Sequence, residues 1–257
     1  MFAEERQNKI SELVKKNGAV TTNELIKSFG VSVETIRRDL LALERNGDLK
    51  RVHGGAVSIG TMKGFADLSV RLEEHDEQKH ELAKNAVKFI NNGDIIGIDA
   101  GSTAIAFSQA LKENFSDLTI VTYCMDVFEI LCKYKDFKVI LCGGYFMQNE
   151  NTFVGELTLE ILKKLHVQKG FVFPSALSIK NGVCDYQPEM YQLQRQMIAA
   201  SDELYILADS SKFETNALLK LTDIDCGATY ITDSLLSDEL KKLYKENNIN
   251  VYTGGTL

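Results

Sequence analysis

Two arginines, Arg37 and Arg38, stand side by side in the stretch VSVETIRRDL, Val31 to Leu40. A planar guanidinium can donate two N–H groups to a guanine edge or grip a phosphate. Further on, Asp99-Ala100-Gly101-Ser102-Thr103 follows the apolar run IIGI. At a strand-to-helix turn, two hydroxyls, free backbone N–H groups and the positive end of a helix dipole suit a phosphate, and Gly101 lets an anion reach the backbone. The plain alternative is an ordinary turn with Ser102 as helix cap, because the segment is neither a P-loop nor a GxGxxG. Two later turns add to it. Cys142-Gly143-Gly144 permits close backbone approach, unless it is only a flexible turn. Ala208-Asp209-Ser210-Ser211-Lys212-Phe213 carries an acid, two hydroxyls and a lysine; Lys212 either neutralises a phosphate or is merely solvated.

Other chemistry is harder to find. No His/Ser/Asp order has local support and there is no GxSxG. The histidines His53, His75, His80 and His166 lack metal-ligand spacing. The five cysteines form no CxxC pair and read as buried reduced thiols, with a metal or redox site as the alternative. No cofactor is expected.

Around the arginines the local signals are dense. Ile10, Leu13 and Val14 recur at i, i+3, i+4, which predicts a first helix over 4–16, ended by Asn17-Gly18. Thr21 with Glu24 is a capping box that starts a short second helix, closed by Gly30. Ser32 caps a third helix ending near Asn46-Gly47. At 100° per residue, Val33, Ile36, Leu40 and Leu43 share one sector, with Glu34, Arg38 and Arg45 opposite and Thr35 and Arg37 flanking. The stripe is expected to be buried and the arginines to face out. Leu49 to Val57, LKRVHGGAV, reads as a small β wing. Together these make a winged helix-turn-helix whose third helix enters the major groove; a three-helix bundle with a solvated charged face remains the alternative. Thr22, Ser32, Thr35, Lys50 and Arg51 suit phosphates. With Arg37, Arg38, Glu34 and His53 they form the candidate DNA-binding set.

Residues 58–75 are weakly periodic and read as a linker. From Gln78 onward strands and helices alternate: strands at 94–98, 118–122, 138–142, 170–173, 204–208, 229–232 and 250–253, separated by amphipathic helices. That order predicts a mainly parallel α/β sheet with helices on both faces and ligands at the carboxyl ends of its strands.

The 257 residues are 44% hydrophobic and 25% charged, enough for two cores. No run of about 18 apolar residues occurs, and the start MFAEERQNKI lacks a basic, apolar leader, so a cytoplasmic protein with no membrane segment is expected. The net charge of −7 is unevenly spread. Residues 1–60 hold ten Lys/Arg and eight Asp/Glu, whereas the remainder holds 19 and 28. Only the first part can approach a polyanion without strong repulsion.

These motifs carry a family resemblance. VSVETIRRDLLALERNGDLKRVHGGAV resembles the DNA-binding segment of the DeoR family of bacterial transcriptional regulators, and GDIIGIDAGSTA, TIVTYC, LCGGY, FVGE and ILADSSKF are similar to landmarks of its sensor domain, in order. The resemblance implies a winged helix-turn-helix over 1–57, a linker over 58–75 and an α/β domain for effector sensing and oligomerisation over 76–257, the last resembling ribose-5-phosphate isomerase. It implies a repressor of a sugar or carbohydrate catabolic operon that binds double-stranded operator DNA and a phosphorylated sugar. A homodimer or homotetramer is expected. Asp99, Gly101, Ser102 and Thr103 would hold the phosphate or sugar, with Gly143 and Lys212 nearby.

The sequence departs from the family pattern at Tyr123 (usually Asn), at Gln168 to Pro174, including Phe173 (usually Asp-Lys-Ala-Phe-x-Gly), and at Gln194, where an acid and a lysine are missing from Met190 to Arg195. An altered sensor pocket answering to another ligand or partner is therefore the second reading. A sugar-phosphate isomerase is a third. It needs a carboxylate base, and Lys169 to Ser178 contains none. The chain is not expected to be an enzyme.

Overall fold

The computed structural model describes residues 3–17, 19–45, 48–52, 55–58 and 68–254. The chain divides into two compact units, 1–66 and 67–257.

In the first unit, α1 (Ala3–Asn17), α2 (Thr22–Phe29) and α3 (Val33–Arg45) pack around a three-stranded sheet of β1 (Ala19–Thr21), β2 (Leu49–Val52) and β3 (Gly55–Ser58), in the order β1-β3-β2. The local signals explain the helices. Thr21 Oγ1 accepts from the Glu24 backbone N–H at 3.2 Å, and Glu24 returns a carboxylate to the Thr21 N–H at 2.7 Å. Gly30 closes α2 in the left-handed region at φ 63°. Ser32 Oγ accepts from the Thr35 N–H, starting α3. The end of α3 near Asn46-Gly47 falls outside the described residues.

Ile10, Val14, Leu25, Ile36, Leu40, Leu43, Leu49 and Ala56 form one core. Val33 corrects the expected stripe: it is 42% exposed, because the first turn of α3 runs past the core. Burial at Asp39 was not visible in the pattern. This acid is 3% exposed and pairs with Arg6 of α1, Nε to Oδ2 at 2.5 Å, while Gln7 donates to its other oxygen. The strand β1 is a further addition. Its pairing with β3 requires Gly55, where a Cβ would lie 2.1 Å from the Val20 carbonyl oxygen.

The second unit begins with α4 (Leu68–Glu73) and α5 (Asp76–Ala86). The helix α4 lies in the stretch expected to be linker. A seven-stranded parallel sheet follows, built from β4 (Ile95–Ile98), β5 (Leu118–Thr122), β6 (Phe137–Leu141), β9 (Val167–Val172), β12 (Ser201–Leu207), β14 (Thr229–Ile231) and β15 (Val251–Tyr252). Its spatial order is β15-β14-β12-β9-β4-β5-β6. The helices α6 (Ser102–Asn114), α7 (Met125–Leu131), α8 (Glu156–Leu162), α9 (Pro188–Ala199) and α10 (Asp238–Glu246) fill the crossovers. A hairpin of β7 (Tyr145–Met147) and β8 (Thr152–Val154) and an antiparallel sheet of β10 (Ala176–Ser178), β11 (Gly182–Asp185) and β13 (Leu219–Thr222) complete the unit.

The winding explains where a ligand could sit. The chain builds outward from β4 through β5 to β6, then returns to place β9 on the other side of β4. Strand order reverses between β4 and β9, and the crevice at their carboxyl ends is the switch point.

Candidate functional site

The DNA-facing candidates lie on α3 and its flanks. Glu34, Arg37 and Arg38 are exposed on α3, Ser32 is exposed before it, and Thr35 is half-buried with its Oγ1 2.9 Å from Ser32 Oγ. Arg37 reaches Glu34 at 3.5 Å, whereas Arg38 has no acidic partner among the described residues. Thr22 is half-buried in the first turn of α2. Arg51, on the wing, is held by Glu44 at 2.8 Å, and its backbone N–H donates to the same carboxylate. The side chain of Lys50, and His53 altogether, fall outside the described residues. The structure thus brings Ser32, Glu34, Thr35, Arg37 and Arg38 onto or beside one helix, with an anchored arginine on the neighbouring strand.

In the second unit Asp99 is the centre. It stands at the end of β4 with no solvent exposure. The Tyr123 hydroxyl, at the end of β5, donates to Oδ1. The Phe173 backbone N–H, at the end of β9, and the Gln194 amide of α9 each donate to Oδ2 at 3.2 Å. Burial raises the Asp99 carboxyl to about 6, although the Tyr123 hydroxyl and the Ala100 and Phe173 N–H groups pull the other way. Gln194 Nε2 also donates to Asp185 Oδ2 at 3.0 Å, while its Oε1 is buried without a partner. Tyr123, Phe173 and Gln194, three of the departures from the family pattern, therefore converge on one carboxylate. Gln168 does not: at the amino end of β9 its side chain accepts from the Ile95 N–H at 2.8 Å.

The helix α6 starts earlier than its apolar pattern suggested. Ser102 and Thr103 form its first turn, nearly buried, and Gly101 rather than Ser102 is the N-cap. Gly101 has φ 119°, a conformation that L side chains rarely adopt, and no side chain caps the helix. Its open face lies beside the Arg71 guanidinium of α4. Arg71 pairs with Glu150, which follows β7 and also accepts from the Gln187 amide. Burial raises the Glu150 carboxyl, and Arg71 opposes the shift. Behind Arg71, the buried Lys79 ammonium donates to the Arg71 and Glu74 carbonyls, closing the carboxyl end of α4. Burial lowers its pKa, against the pull of Asp209.

Lys212 and Gly143 follow the carboxyl ends of β12 and β6, strands two places from β4 on its opposite sides. Lys212 is half-buried, and its charge acts on Lys79. The carbonyl of Gly143 accepts from Thr158 Oγ1 at 3.3 Å. Beside the Lys212 turn, a cavity of about 260 Å³ is lined by His75, Gln78, Ser210, Ser211 and Leu235 to Ser237, with Leu240. Among the cysteines, Cys124, Cys142 and Cys184 are buried, and burial pushes the Cys124 thiol up to about 12. Cys132 and Cys226 are exposed, which corrects the expectation that all five lie inside.

Arg71, Lys79, Glu150, Asp185 and Gln187 were absent from the candidates. Arg71 and Glu150 sit in a six-residue helix and a turn, too short to show periodicity, and nothing in their spacing links residues 79 apart. Among the described residues no helix is long and apolar enough to cross a membrane.

Comparison with known proteins covers both units. The DeoR-like helix-turn-helix domain matches residues 6–62, and the DeoR C-terminal sensor domain matches 74–234. The HTH-type transcriptional regulator GolR of Listeria innocua is 32% identical over 98% of each chain. The lactose phosphotransferase system repressor of Staphylococcus epidermidis is 38% identical over 81% of this chain and 83% of its own. The glycerol-3-phosphate regulon repressor of Escherichia coli is 32% identical over 90% of each. Among solved structures, ribose 5-phosphate isomerase A from Neisseria gonorrhoeae is similar over 55% of each chain, at 21% identity and a TM-score of 0.41. With one family's DNA-binding and sensor domains matched along its length, this chain belongs to the DeoR family of transcriptional regulators.

Proposed function

We propose that this chain is a sequence-specific DNA-binding repressor of a sugar or carbohydrate catabolic operon, controlled by a phosphorylated sugar. The observation that carries the DNA-binding part is the exposed Arg37–Arg38 face of α3, opposite a sealed core. Arg37 and Arg38 read guanine edges or clamp phosphates. Thr22, Ser32, Thr35, Lys50 and Arg51 hold the backbone, with Glu34 and His53 completing the set. The unit over 1–57 reads DNA, 58–75 joins it to the rest, and 76–257 senses the effector and associates with further copies. The protein works in the cytoplasm as a homodimer or homotetramer, because paired half-sites give an affinity that one helix-turn-helix does not.

The effector reading rests on the switch point. Gly101, Ser102 and Thr103 offer an uncapped helix start to a phosphate, Asp99 offers a carboxylate to hydroxyls, and Gly143 and Lys212 flank them. The names of the relatives, a lactose phosphotransferase system repressor and a glycerol-3-phosphate regulon repressor, support a sugar-linked role. One observation favours an altered pocket as the second reading: Tyr123 and Gln194 already occupy both Asp99 oxygens. Isomerase chemistry is disfavoured. Asp185 could supply a base, but Ser175, the Tyr186 and Gln187 N–H groups and Gln194 all donate to it.

The test is fluorescence anisotropy on a duplex selected by the full chain from a random pool. Arg38→Ala is expected to weaken binding at least several-fold. If Arg38 contacts phosphate, the loss is nearly uniform across sequences and the salt slope falls by about one. Unchanged affinity would remove Arg38 from the interface.

A further inference from the structure

Three buried acids share one neighbourhood behind the switch point. Asp99, Asp185 and Glu150 are 0%, 4% and 3% exposed. After burial, the Asp185 charge is what raises both the Asp99 and the Glu150 carboxyls, so the three acids feel one another. Glu150 is met by the Arg71 guanidinium. Asp99 and Asp185 are met, among the described residues, by neutral donors: the Tyr123 and Ser175 hydroxyls, the Gln194 amide, and the N–H groups of Phe173, Tyr186 and Gln187. Buried carboxylates are ordinarily balanced by an opposite charge, and these two lack one.

Gln194 marks where that charge belongs. Its side chain is buried, at 1% exposure, and its Nε2 stands 3.2 Å from Asp99 Oδ2 and 3.0 Å from Asp185 Oδ2. The gap between the carboxylates therefore has the size of one nitrogen donor. The other end of the same planar amide, Oε1, is buried without a partner, so the group that spans the gap carries an unused acceptor into it. A buried acceptor left without a donor is costly, which singles this one out as waiting for a ligand. Among the described residues no three ligating side chains are grouped closely enough to hold a metal. A ligand hydroxyl would bring one donor and no charge. A ligand ammonium brings three donors and the missing positive charge.

We propose that the effector carries an amino group, whose ammonium takes the place of the Gln194 amide nitrogen between Asp99 and Asp185 and donates its third N–H to Gln194 Oε1. This deepens the sugar-phosphate reading and rests on it for the other end of the ligand, the phosphate at Gly101 to Thr103. Asp99 and Gly101 stand two residues apart in one turn. Their backbones are separated by no more than about 7 Å, the scale of a single small ligand. The ligand class is a phosphorylated amino sugar.

Calorimetric titration of the full chain tests the gap, using glucosamine 6-phosphate and galactosamine 6-phosphate, the matching hexose 6-phosphates and the N-acetyl forms. An amino ester is expected to bind about tenfold or more tightly than the ester with a hydroxyl in place of its amine, and N-acetylation to remove that advantage. Gln194→Lys supplies an ammonium from the protein itself. It is expected to raise the melting temperature of the unliganded chain and to abolish the preference. The wild-type comparison decides even if that variant folds poorly. Amino and hydroxyl esters bound equally by the wild type, or a preference kept by Gln194→Lys, would overturn the ammonium gap and leave sugar-phosphate control standing. Glucosamine bound as tightly as its phosphate would support the gap and overturn phosphate control. No binding by any ester would overturn both.

Discussion

A single carboxylate concentrates the chemistry of the second unit. Asp99 takes donors from the ends of two neighbouring strands and from α9, in a place without solvent. The sequence made its turn visible, since an apolar run meeting Asp-Ala-Gly-Ser-Thr marks a strand giving way to a helix. What surrounds the turn was only half visible. Tyr123 and Gln194 stood out as departures, yet nothing in their spacing says that both reach one carboxylate. The raised Asp99 carboxyl has a consequence for stability. Its protonated form is favoured by the fold, so its contribution is fully present below the ordinary carboxylate range and lost as pH rises through about 6. Thermal melts between pH 4 and 7 are expected to show wild-type stability falling with pH more steeply than that of Asp99→Asn. Equal slopes would mean that Asp99 ionises freely in the folded state.

At the scale of elements, the sequence shows the repeated alternation of strand and helix and hides the short pieces that lie outside it. The strands of the parallel sheet are legible because apolar runs alternate with amphipathic helices between turn signals, even where the strand is as short as β15. The helix α4, the β7–β8 hairpin and the β10–β11–β13 sheet are built from pieces of three to six residues, and α4 buries none of its residues. Their order comes from tertiary hydrogen bonds, such as the Lys79 ammonium closing α4, which no local pattern records. In α3, hydrophobic spacing explains Ile36, Leu40 and Leu43 but misses Asp39, because a buried ion pair reads as a polar gap in the stripe. Removing one partner of such a pair strands a buried charge. Asp39→Ala is expected to cost about 3–5 kcal/mol in the first unit by exposing Arg6 to an apolar core without its counterion. Chemical denaturation followed by circular dichroism measures it, and a loss below about 1 kcal/mol would show that Arg6 finds water instead.

At the scale of the whole molecule, function is divided as charge is divided. The first 60 residues carry a slight positive excess and the rest a strong negative one, so the acidic unit repels DNA while the basic one approaches it. A sensor at the β4–β9 switch point of the second unit is expected to take a phosphorylated sugar. A thermal-shift panel on the full chain, setting sugar phosphates against their unphosphorylated counterparts, tests it most directly. A ligand at 100 times its dissociation constant adds about 2.7 kcal/mol of stability. The melting temperature is expected to rise clearly with a phosphate ester and not with the parent sugar. No shift with any ester across the panel would contradict sugar-phosphate control and favour an altered site in which Tyr123 and Gln194 take both Asp99 oxygens.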